Sequence, residues 1–135
     1  MEISLQVSDK DNTSGAAAHP TGQGMLAEDL AARFLERHGL SLLTRNHRCR
    51  GGEVDLICRE GRVLVFVEVR LRRNTRFGGA AASITTAKQR RIVLAAQHYL
   101  ATHPGRECDC RFDCILLDGL FETAIEWIRD AFSEP

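Results

Sequence analysis

No stretch of this 135-residue chain approaches the ~18 consecutive apolar residues of a membrane-spanning helix. Its first residues, MEISLQVSDKDNTSGAAAHPTGQG, lack the basic start and apolar centre of a secretory signal. They read as a polar leader over 1–22 without fixed structure, followed by a single domain over 23–135. Five cysteines, an odd number, show no paired C-x-x-C spacing. Even with CDCRFDC at 108–114, neither a disulfide framework nor a four-ligand zinc site is indicated. These absences together point to a cytoplasmic protein with reduced thiols. Aromatic residues make up only 6% of the chain, too few for an exposed base-stacking platform. The five histidines show no ligand spacing.

Lysine is also scarce: of 18 basic residues, sixteen are Arg. Arginine stays charged and grips phosphate in a bidentate manner. The formal net charge of zero conceals an uneven distribution. Residues 45–91 hold eleven Arg and one Lys against Glu53, Asp55, Glu60 and Glu68, a net of +8, and the remainder carries −8. A basic segment in an otherwise acidic chain is the footprint of a polyanionic partner. A GC-rich genome would explain Arg over Lys, but not the clustering.

The apolar periodicity then sets an order of elements. GMLAEDLAARFLERHG (24–39) repeats Leu26, Leu30 and Phe34 at helical spacing and stops at Gly39. Strands follow at about 40–48, 52–59 and 62–71, the last two joined around Glu60-Gly61. A second helix starts near Thr86, with Thr86-x-x-Gln89 as a capping box and Ile92, Ala95, Ala96, Tyr99 and Leu100 as its apolar face. His103-Pro104-Gly105 ends it. Two more strands are expected at about 110–118 and 121–128. The order α-β-β-β-α-β-β predicts an α/β domain with a mixed five-stranded sheet flanked by two helices.

Within the hairpin, Glu68 interrupts the apolar run LVFVEV. An unpaired carboxylate in an apolar site costs several kcal/mol, so it needs a cation, a proton or a metal ion. If Glu60-Gly61 is the loop, Asp55 lies opposite Phe66 and Glu68 opposite Glu53. Glu53, Asp55, Glu68 and Arg70 then share one face, with Val54, Leu56, Val65, Val67 and Val69 on the other. A one-residue slip would separate Asp55 from Glu68. Glu28 projects from a largely apolar helix face and could join them. Clustered carboxylate oxygens suit Mg²⁺ or Mn²⁺, and salt bridges to arginine are the bland alternative.

Glu28, GGEVDLI (51–57), VFVEVR (65–70), GGAAASIT followed by Lys88-Gln89, and RFD (111–113) together resemble the small bacterial YraN-type proteins. These are related to Holliday-junction-resolvase-like nucleases of the restriction-endonuclease-like, PD-(D/E)xK fold. The resemblance runs from about Gly24 onward. It implies metal ligands at Asp55, Glu68 and Glu28, with Asp55 and the triplet Glu68-Val69-Arg70 in the place of the Asp and E-x-K of that fold. One departure stands out. Arg70 occupies the motif lysine position, and arginine does not give up its proton in a protein. It could hold phosphate but not act as general base. Lys88, the only lysine after the leader, could substitute.

The expected function is therefore Mg²⁺- or Mn²⁺-dependent hydrolysis of nucleic acid, DNA ahead of RNA, with Asp55, Glu68, Arg70 and Lys88 as catalytic candidates. Arg70, Arg72, Arg73, Arg76, Lys88, Gln89 and Arg91 are the candidate nucleic-acid contacts. Glu53 reads as a secondary acid, and Asp113 as a partner of Arg111 or a support of the sheet. The alternatives are a binding module on a degenerate nuclease fold and a protein-interaction scaffold. Monomer and homodimer both remain open.

Overall fold

The computed structural model describes residues 22–71, 84–103, 109–120 and 124–133. Residues 1–21 of the expected leader and the loop arginines Arg72, Arg73 and Arg76 lie outside them. The elements are α1 (Gly22–Arg37), β1 (Ser41–Cys49), β2 (Gly52–Glu60), β3 (Val63–Leu71), α2 (Thr86–Thr102), β4 (Cys110–Leu117) and β5 (Ile125–Phe132). The expected order is thus observed. One five-stranded sheet runs β1-β2-β3-β4-β5. Its pairs are antiparallel except for β3 and β4, which are parallel. A parallel pair needs a long crossover, and α2 lies within it. This mixed α/β arrangement is consistent with a nuclease-like fold. Among the described residues, no helix is long and apolar enough to cross a membrane.

The helices cover opposite faces. Ala27, Ala31 and Leu35 of α1 pack on Leu56, Val65, Val67 and Ile115, while Ile92, Ala95 and Tyr99 of α2 pack on Ile57, Phe66 and Phe112. Small residues make up most of the buried stripe of α1, with Leu35 as its one fully buried leucine. Ala27, Ala31 and Ala32 let the helix lie close to the sheet, and Leu26 is left exposed at one edge. At α2, the cap is Thr85 rather than Thr86. Its hydroxyl accepts the Lys88 N–H at 3.1 Å, and the Gln89 side chain donates to the Ile84 carbonyl instead of closing a box. The last strand lies later than expected, at Ile125–Phe132. Residues 121–123, the first part of the strand expected at about 121–128, lie outside the described residues.

The β2–β3 register corrects the expected one. Glu60 pairs with Val63 and Leu56 with Val67, so the loop is Gly61-Arg62. Gly61, with φ of 60°, takes the left-handed conformation that such a two-residue turn requires. The shift moves every pairing by two residues and therefore preserves the faces. Val54 is an exception to the expected grouping. It packs with Ile57 and Phe66 on the α2 side, while Leu56 packs on the α1 side. Strand alternation thus slips at Asp55.

Asp113 on β4 has the supporting role expected of it. Fully buried, it accepts hydrogen bonds from Arg111 Nε (2.9 Å) and Nη2 (3.1 Å), Trp127 Nε1 (2.9 Å) and the Asp130 N–H (2.8 Å). Every carboxylate oxygen is satisfied, which makes a buried charge tolerable.

Gly52 sets the distance between α2 and β2. A Cβ there would meet the Arg91 carbonyl at 2.6 Å, the Ala95 nitrogen at 2.8 Å and Leu94 Cβ at 3.0 Å. Two of these three are backbone atoms and cannot rotate away. We expect Gly52→Ala to cost about 1–3 kcal/mol by overpacking, measured by urea denaturation. An unchanged midpoint would contradict this close approach.

Candidate functional site

Asp55 interrupts both of its strand pairings. On one side the pairs step from Arg45↔Leu56 to His47↔Val54, and Asn46, lying between them, has a left-handed φ of 52°. On the other, the ladder ends at Leu56↔Val67. The next position would set Asp55 against Glu68. There the Asp55 side chain takes over from the ladder, and its Oδ2 accepts the Val69 N–H at 2.8 Å. The register thus turns two acids thirteen residues apart in the chain into cross-strand neighbours.

Glu68 is 3% exposed. Its Oε2 lies 3.5 Å from Lys88 Nζ and 3.8 Å from Arg70 Nη1. Its Oε1 is buried with no hydrogen-bond partner among the described residues. Burial, reinforced by the charge of Asp55, pushes its pKa from an ordinary 4.5 up to about 8, against the opposing pull of Lys88 and Arg70. Burial also raises Asp55, while the Val69 N–H and Lys88 pull it down. The pair is therefore poor at carrying two negative charges unless a cation arrives.

Glu28 is 6% exposed and comes from the helix on the other face of the sheet. It accepts from Asn46 Nδ2 at 3.0 Å and lies 3.5 Å from Arg45 Nη2. Arg45 also grips Asp29 at 2.7 Å. Burial, then the charge of Asp55, raises the Glu28 pKa, so the two acids share a field. Yet no group of three or more His, Cys, Asp or Glu among the described residues is drawn together tightly enough to hold a metal ion.

The structure therefore brings Asp55, Glu68, Arg70 and Lys88 together and leaves Glu28 tethered alongside. Two carboxylates with one orphaned oxygen still fit Mg²⁺ or Mn²⁺. Mg²⁺ commonly takes one or two carboxylates and completes its shell with water and phosphate. Cys114 pairs with Glu68 across β3 and β4, but a single buried thiol does not make the Cys and His set of a structural zinc site. Of the other candidates, Arg91 is occupied by Glu53 at 2.7 Å, and Gln89 by the Ile84 carbonyl. The residues that sequence reasoning missed are Asn46 and Arg45. The available signal was an Asn inside a strand, where that residue type is depleted.

A stability test follows from Glu68. Its folded pKa lies above its unfolded one, so the folded state holds the extra proton between about pH 4.5 and 8. Stability from this group is present at the acid end and is lost as pH rises through that window. In metal-free buffer, the melting temperature is expected to fall from pH 5 to 8. Glu68→Gln should flatten that fall and raise the pH 8 value, at roughly 4 °C per kcal/mol. Identical pH slopes for the two proteins would contradict the assignment.

Comparison with known proteins places the chain. The model of the family described as "Uncharacterised protein family UPF0102" matches residues 27–117. A UPF0102 protein of Dechloromonas aromatica is 58% identical over 129 residues, covering 96% of this chain and 98% of its own length. One from Nitrosomonas europaea is 57% identical over 112 residues, covering 83% and 94%. Another, from Ralstonia nicotianae, is 56% identical over 122 residues, covering 87% and 88%. The α/β chain with its hairpin-borne acid pair is a member of the UPF0102 family.

Proposed function

We propose that this protein is a cytoplasmic, Mg²⁺- or Mn²⁺-dependent nuclease that hydrolyses phosphodiester bonds in DNA, with branched DNA as a candidate substrate. The observation that carries the reading is the pair of half-buried Asp55 and buried Glu68, in which Glu68 Oε2 lies 3.5 Å from Lys88 and Oε1 has no hydrogen-bond partner among the described residues. A buried polar atom without a partner calls for an explanation, and a role in holding a cation is one. The resemblance to restriction-endonuclease-like nucleases supplies the reaction class, and the basic segment at 45–91 supplies attraction to a polyanion.

When bound, a divalent ion lowers the pKa of a water and neutralises charge on phosphate. Asp55 and Glu68 are the residues that would hold it. Asp55 is oriented for this by the Val69 N–H, and Glu68 by its packing between the sheet and α2. Lys88 approaches Glu68 more closely than Arg70 does and is less exposed, 21% against 37% for the side chains. It is therefore the better candidate for the role of the motif lysine, held near the carboxylate and able to reach a phosphoryl oxygen. Arg70, at the more open rim, is suited to clamping the phosphate.

A second reading has its own support. Arginine at position 70, which does not give up its proton, favours a binding module without turnover. The test is to incubate the protein with Mn²⁺ and supercoiled, single-stranded or four-way-junction DNA. The nuclease reading expects products that EDTA abolishes. Asp55→Ala should lower the rate by at least about 100-fold, a loss that even outer partners of a metal ligand can cause. Absence of products, or an Asp55→Ala variant as active as wild type, would refute catalysis here. Binding that survives EDTA and Glu68→Ala would then establish the second reading.

A further inference from the structure

Asn46 combines three features that no other residue of the described β1 shares. Its backbone sits at φ 52°, one of only two non-glycine residues with positive φ among those described. It falls where the β1–β2 pairing skips Asp55, between Arg45↔Leu56 and His47↔Val54. Its amide donates to Glu28 Oε1 at 3.0 Å, on a side chain only 6% exposed. A strand residue in the left-handed region is strained for most side chains, and asparagine tolerates it best after glycine. The geometry has a consequence for α1: a helix on the far face of the sheet is linked by one hydrogen bond to the position facing Asp55.

We propose that Asn46 is a positioning residue, whose amide holds Glu28 oriented toward the cation site formed by Asp55 and Glu68. Arg45 alone could not do this, because its guanidinium is shared with Asp29 at 2.7 Å and lies 3.5 Å from Glu28. A purely structural asparagine would need only its backbone conformation, which glycine supplies equally well. The amide is what glycine lacks. The inference rests on the metal-site reading given above.

The experiment is a double-mutant cycle on Mn²⁺ affinity, measured by electron paramagnetic resonance on the intact chain without nucleic acid. Asn46→Gly keeps the left-handed backbone and removes the donor. Asn46→Gly and Glu28→Ala are each expected to weaken Mn²⁺ binding roughly 10-fold, the loss typical of outer partners of a metal site. The double variant should be no weaker than either single one, because both changes remove the same contribution. Additive losses, or an Asn46→Gly variant that binds as wild type does, would overturn the role of Asn46 and leave the metal site standing. Unchanged affinity in Glu28→Ala would overturn it whatever Asn46→Gly does. A wild-type chain that binds no Mn²⁺ would overturn both.

Discussion

The placement of two carboxylates on one face of a buried hairpin is the constraint around which this domain is arranged. Burying one ionised carboxylate without compensation is costly, and burying two side by side adds their repulsion. Local structure compensates in part. The strand pairing opens at Asp55 so that the Val69 N–H can serve the carboxylate. The absence of a side chain at Gly52 lets α2 approach β2 closely, and the Thr85 cap starts that helix where Lys88 can reach Glu68. What these devices leave over is an elevated proton affinity at Glu68 and one oxygen without a hydrogen-bond partner among the described residues.

The two acid sites of the sheet make an instructive contrast. Asp113 is as deeply buried as Glu68, yet four donors from Arg111, Trp127 and Asp130 satisfy it. Asp130, like Asn46, sits at a left-handed φ of 52°. In each case a non-glycine residue leaves the extended conformation close to a buried acid. At Asp113 the distortion delivers a backbone N–H and completes a closed network. At Glu68, side chains of the opposite charge approach one oxygen only to 3.5 and 3.8 Å, and the other has no hydrogen-bond partner among the described residues. A closed network stabilises the sheet. An open one is suited to binding something the chain does not itself provide.

Much of this was legible in the sequence, for identifiable reasons. Element order followed from apolar periodicity and from Gly39, Gly61 and the Thr-rich start of α2. The shared face of Asp55 and Glu68 survived an error in the loop because facing depends only on odd or even register, and the error was two residues. Asp113 announced itself through Arg111, two residues earlier on the strand. The slip at Asp55, which turns Val54 toward α2, was not legible, because it depends on how both neighbouring strands pair. Nor was the Asn46–Glu28 contact, which joins residues eighteen apart on different elements. The exposure of Leu26 was hidden by treating every leucine as core, whereas the alanines decide how closely α1 can pack. Arg91 looked available for phosphate because its cross-element partner, Glu53, is set by tertiary packing.

The charge distribution gives the acid pair its wider setting. Most of the arginines lie in the same half of the sequence as the hairpin, so a polyanion drawn to that region is drawn toward Asp55 and Glu68. The central claim is that these two acids form a divalent-cation site. It is tested most directly by the crystal structure of the protein soaked in Mn²⁺, with anomalous scattering recorded at the manganese edge. The account predicts an anomalous peak within bonding distance of Asp55 and of Glu68 Oε1. A map with no peak there, in which Lys88 and Arg70 remain the only cations near Glu68, would contradict it.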